Sequence, residues 1–89
     1  MNHDLHVVRL KLNQRGFSIA GLARAMSEDT GAHFSEMLVN KALRTWVPRN
    51  DGIPRGKTLA VLLYASDAIG EPVSAAIRPI YKHAAKKAA

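Results

Sequence analysis

Five residues in one short stretch, four of them polar, could contact a ligand from one side: Glu36, Met37, Asn40, Lys41 and Arg44. At about 100° per residue they share one arc of a helix, while Leu38, Val39, Ala42, Leu43 and Trp46 share the opposite arc. A helix with one packed face and one polar face can lie in the major groove of a nucleic-acid duplex and read base edges. In that role Asn40 pairs with adenine in bidentate fashion, Arg44 or Lys41 pairs with guanine, and Glu36 accepts from cytosine. The competing account is an ordinary amphipathic helix whose outer face is only solvated.

Charge supports the first account through its placement. Thirteen Lys and Arg oppose seven Asp and Glu, a net +6. Residues 1–39 are balanced, whereas residues 40–57 hold Lys41, Arg44, Arg49, Arg55 and Lys57 against Asp51 alone. A second basic block, Arg78, Lys82, Lys86 and Lys87, has no acid beside it. Clustered positive charge attracts polyanions without regard to their sequence. Arg49, Arg55 and Lys57 flank a turn and the start of a helix, where free backbone N–H groups also favour an anion. They are candidate phosphate anchors, with Ser18, Arg24 and Ser35 as weaker ones; Ser18 and Ser35 equally suit helix N-caps.

Other chemistry finds little support. Met1-Asn2-His3 with a free amine can chelate a square-planar metal ion, but His6, His33 and His83 have no spacing to further ligands that suggests a zinc site. No metal and no cofactor are expected. Glu28 and Asp29 are neighbours on a helix and diverge, and no nucleophile is paired with a base, so the chain reads as a non-enzyme with no small-molecule substrate. Phe17, Phe34, Trp46, Tyr64 and Tyr81 are spaced as core or cap contacts rather than as a stacking platform for a single strand. Cysteine is absent and no apolar run reaches the roughly 20 residues of a membrane span, which predicts a soluble, cytoplasmic protein without disulfides.

The elements that must position these residues are all helical. Leu5, Val8 and Leu12 mark a first helix over residues 4–15, capped by Asp4 and stopped by Gly16. Ser18 caps a second, with an Ile19, Leu22, Ala23 and Met26 stripe and Arg24 opposite; residues 27–30 are either a further turn of it or a loop before Gly31. Ser35 caps the third helix, and Pro48 closes it near Trp46 by forcing Val47 towards extended backbone. A turn at Asn50-Asp51-Gly52 leads to a fourth helix that Pro54 opens and Gly70 ends, with Leu59, Val61, Leu62, Leu63, Tyr64 and Ala65 apolar. Pro72 opens a short fifth helix through Ile77, ended by Pro79. The expectation is an all-α, compact single domain of about five helices containing a helix-turn-helix, residues 1–81, followed by a basic tail, residues 82–89.

Arg15-Gly-Phe-Ser-Ile-Ala-Gly-Leu-Ala-Arg24, then Leu38-Val-Asn-Lys-Ala-Leu-Arg-Thr-Trp46, then Pro54-Arg-Gly-Lys-Thr-Leu59 resemble the lambda-repressor-like, Cro-type superfamily, and within it the Ner-type regulators of Mu-like transposable phages. The resemblance runs from about Leu10 to Tyr81. It implies a five-helix fold, operator binding through the helix carrying Asn40 and Arg44, and repression of promoters on a phage or other mobile element. Two departures matter. Ile19 stands where the Cro-type pattern often has a phosphate-touching glutamine, which agrees better with the Ner-type pattern. From Ala23 to Gly31 is eight residues, roughly four above the usual spacing and close to one 3.6-residue turn; as helix, the surplus keeps the apolar face in phase.

These features lead to a sequence-specific double-stranded DNA-binding repressor, working as a homodimer through the surplus apolar surface of residues 59–80. Two alternatives use the same residues differently. One is an architectural nucleic-acid binder whose tail supplies non-specific affinity. The other is an antitoxin-like protein-interaction module that uses Leu59 to Tyr81.

Overall fold

The computed structural model describes residues 4–81. Met1-Asn2-His3, His83 and the basic segment 82–89 lie outside the described residues. Within them the chain is all-α: α1 (Leu5–Gln14), α2 (Ile19–Thr30), α3 (Glu36–Trp46), α4 (Gly56–Ile69), then a 3-10 turn (Ala75–Ile77) that runs on into helical residues 78–81. Side-chain caps start the first three helices as expected. Asp4 accepts from the His6 N–H at 2.8 Å, Ser18 from Gly21 at 3.0 Å and Ser35 from Leu38 at 3.1 Å.

The open question over residues 27–30 resolves as helix. α2 runs to Thr30 and stops at Gly31, whose φ of +76° is the left-handed backbone that favours glycine. Two hydroxyls then stitch the turn. Ser27 Oγ accepts from the Phe34 N–H at 2.9 Å and lies 2.9 Å from Ala23 O, while Thr30 Oγ1 donates to Met26 O at 2.7 Å and accepts from Ala32 N–H at 3.2 Å. Phe34 is thereby seated in the core immediately before α3 begins.

That core draws from every helix. Val8 and Leu12 of α1, Leu22, Ala23 and Met26 of α2, and Val39, Ala42 and Leu43 of α3 meet Val61, Leu62, Ala65 and Ile69 of α4. Val73 and Ile77 close it from the carboxyl-terminal side. α3 packs against both α2 and α4, and α1 against α4. Buried Ser66 spans the return after α4, donating to Leu62 O at 2.7 Å and accepting from the Val73 N–H at 3.1 Å.

Four local expectations at prolines are corrected. Val47 is not extended before Pro48: its φ of −56° and ψ of −45° are helical. The side chain is fully buried and its N–H donates to Leu43 O at 2.9 Å, so core packing outweighs the clash with the proline ring. Pro54 does not open α4. It is buried in the preceding loop, and the helix starts at Gly56, whose φ of +60° turns the chain into it. Pro79 does not end the last helical segment but lies in its first turn, where a missing N–H costs nothing. That segment is also shorter at its start than expected, because Ser74 rather than Pro72 introduces the 3-10 turn and accepts from the Ala76 N–H at 3.2 Å.

Residues 59–80 are not a surplus apolar surface. Val61, Leu62, Ala65, Ile69, Val73 and Ile77 are buried, and Leu59, Leu63, Tyr64 and Ala68 pack partly buried against them. Among the described residues, the exposed large apolar side chains are instead Val7 and Leu10 on α1, Met37 on α3 and Ile53 in the loop before α4. Among the described residues, no helix is long and apolar enough to cross a membrane.

Candidate nucleic-acid interface

α3 is eleven residues long, about 16 Å at 1.5 Å per residue. Its two arcs separate as their spacing predicts. Val39, Ala42 and Leu43 are buried and Leu38 and Trp46 half-buried, whereas Glu36, Met37, Lys41 and Arg44 are exposed and Asn40 is half-buried. Glu36 lies in the first turn and Arg44 in the last, each at the end of the helix dipole that suits its charge. None of Glu36, Asn40, Lys41 and Arg44 enters an ion pair or side-chain hydrogen bond among the described residues. Their polar groups are left to solvent or a ligand.

The candidate phosphate anchors divide. Arg24, on the outer side of α2, and Arg55, at the N-cap of α4, are exposed, and Arg55 makes no side-chain cap bond. Arg49 is partly engaged: its guanidinium lies 4.6 Å from the centre of the Trp46 ring and 3.7 Å from Asp51. Lys57 is tied more firmly. Its ammonium donates to His33 O at 2.8 Å and stands 5.4 Å from the Phe34 ring centre, so it fastens the start of α4 to the turn before α3. Two ammonium N–H donors remain free for an anion. Ser18 and Ser35 are spent as N-caps, which leaves their hydroxyl protons as the only groups they can offer a phosphate.

The loop between α3 and α4 is held against the body. Ser74, itself fully buried, places its hydroxyl 2.7 Å from Trp46 O and 3.2 Å from Arg49 O. The Trp46 ring covers Gly52 closely enough that an added Cβ would approach it to 3.4 Å. This fixes where Arg49 and Arg55 stand relative to α3. Alongside, Leu38, Lys41, Ala42, Thr45, Trp46 and Thr58 line a groove of about 200 Å³ between α3 and the start of α4. Thr45 and Thr58 are additions to the site that sequence reading passed over. Thr45 follows Lys41 by four positions on the same arc, which was the available signal; Thr58 joins it only through the packing of α4.

No three His, Asp or Glu side chains gather as a metal site among the described residues. His6 and His33 are exposed and far apart in the chain, and Glu28 and Asp29 are exposed near the end of α2. Asp29 instead accepts a hydrogen bond from the Tyr64 hydroxyl.

The fold and this face define a small all-α domain in which α3 turns a polar arc outwards. Comparison of the chain with protein families, characterised proteins and solved structures finds no match.

Proposed function

We propose that this protein is a non-enzymatic, sequence-specific binder of double-stranded DNA that represses transcription, with α3 in the major groove. The observation that carries this reading is the outer arc of α3, where Asn40, Lys41 and Arg44 keep their hydrogen-bonding groups uncommitted while Val39, Ala42 and Leu43 anchor the same helix in the core. Arg24, Arg49, Arg55 and Lys57 supply phosphate contacts around it, as a helix fixed in a groove requires. The resemblance of the sequence to Cro-type regulators points the same way.

The apolar surface of residues 59–80 gives the expected homodimer less support than its sequence suggests, since its largest part is buried and Leu59, Leu63, Tyr64 and Ala68 are partly buried. Dimerisation becomes a property of the target: an inverted repeat in the preferred site implies two copies, a single half-site one. The test is selection of binding sites by the full chain from a random duplex pool. An enriched motif whose preference relaxes at one position with Arg44→Ala supports the reading. Binding that depends on salt without any enriched sequence would transfer it to an architectural role, and no binding at low salt would remove nucleic acid as the partner.

A further inference from the structure

Met37 shares the arc just described but brings an apolar side chain to it. Among the described residues it is the most exposed of the large apolar side chains, at 79%, and it sits in the first turn of α3 on the arc that is otherwise polar. With Glu36 and Asn40 it lines an open hollow of about 430 Å³. Among the described residues, no cation lines that hollow. Lys41 and Arg44 lie further along the helix, and the Glu36 carboxylate at its edge repels a phosphate. The outer surface at Met37 is therefore suited to base edges, which offer it one apolar group: the C5-methyl of thymine.

Resting on the DNA-binding reading, we propose that Met37 is a specificity-determining residue that packs on a thymine methyl in the major groove, with Asn40 pairing to an adenine within one base pair of it. Three features make a methionine fit. Its unbranched thioether adapts to a contact whose position is set by the rest of the helix. Asn40, three positions on, occupies the same face and presents both a donor and an acceptor, the pattern adenine requires. Glu36 accepts but does not donate, so it opposes a guanine or thymine oxygen beneath it and tolerates an amino group. The target is thus a site with A·T pairs under the first turn of α3 and guanine-bearing pairs under Lys41 and Arg44.

The experiment replaces each thymine of the selected site, one at a time, with deoxyuridine, which removes the methyl and changes no hydrogen bond. Affinity of the full chain is read by fluorescence anisotropy. One thymine is expected at which methyl removal weakens wild-type binding about fourfold, the equivalent of one buried methyl-sized group. Met37→Ala, which alters an exposed residue, is expected to bind the thymine and uridine sites equally at that position while keeping the wild-type preference elsewhere. Asn40→Ala should relax the neighbouring adenine and preserve the methyl effect. The inference is overturned, with DNA binding intact, if no uridine substitution matters, if the enriched site lacks thymine there, or if Met37→Ala retains the methyl effect. A pool that yields no enriched site overturns the DNA-binding reading itself and this inference with it.

Discussion

The cations of α3 and those around α4 are the same residue types put to different uses. Around α4, Lys57 donates to His33 O at 2.8 Å, Arg15 reaches Ala68 O at 3.5 Å and Lys11 pairs with Glu71 just beyond the helix. On α3, Lys41 and Arg44 have no such partner among the described residues. The first set joins α1 and the α2–α3 turn to α4; the second is presented outwards from a helix those joints hold still. An exposed ion pair such as Lys11–Glu71 contributes only about 0–1 kcal/mol and an exposed hydrogen bond about as little, so their value is in fixing position. Net charge alone cannot distinguish the two sets, although only the second keeps all of its donors uncommitted among the described residues.

The largest effect should come from the buried side of α3. Leu43 is fully buried, and Leu43→Ala is expected to cost about 2–5 kcal/mol of stability, a large part of the roughly 5–15 kcal/mol that holds a domain. Urea unfolding measures it, and a loss near zero would mean that α3 is not anchored as described. On the outer side, Arg44→Ala should reverse the pattern. It should cost about 1–3 kcal/mol of binding at one preferred base and less than about 0.5 kcal/mol of stability. A comparable loss of stability would make Arg44 another joint.

A finer test sets Arg55 against Lys57. Arg55→Ala should weaken binding to all sequences, lower the salt slope by about 1 and leave the unfolding midpoint unchanged. Lys57→Ala should lower the slope and also cost about 0.5 kcal/mol of stability, the low end for an exposed hydrogen bond. If Lys57→Ala leaves stability untouched, the contrast between fastened and free cations fails at its best-defined member.

Much of this arrangement was legible in the residues. The caps Asp4, Ser18 and Ser35 each immediately precede the helix they start and act locally, and the two arcs of α3 follow from spacing alone. What escaped depends on contacts between distant positions. Ser74 holds the loop carbonyls 25 and 28 residues away, and Lys57 finds His33 across 24 residues. Neither pairing leaves a periodic trace. The prolines misled for the same reason: Val47 before Pro48 obeys the core rather than its neighbour, and Pro54 is occupied in packing before the helix starts. The apolar run of residues 59–80 looked like surplus because its partners, Leu12, Met26 and Leu43, are spread over three other helices.

The smallest effect concerns the joint between α4 and the end of α2, where no cation takes part. The Tyr64 hydroxyl donates to the Asp29 carboxylate, and its pKa is raised above the ordinary value of 10.0. That hydrogen bond is the main cause; partial burial and the negative charges of Asp29 and Glu28 add to it. Because the folded state favours the protonated phenol, the contribution is fully present below pH 10 and lost as pH rises through the elevated folded value. Tyr64→Phe removes both the bond and the titration. Wild type should therefore be slightly more stable than the variant at pH 8–9, and the gap should close on the alkaline side, with urea midpoints of the two proteins compared at each pH. Comparison at equal pH cancels the titration of the lysines, which both proteins share. A gap independent of pH would show that the phenol ionises without reference to Asp29, and no gap would leave α2 and α4 joined by their apolar faces alone.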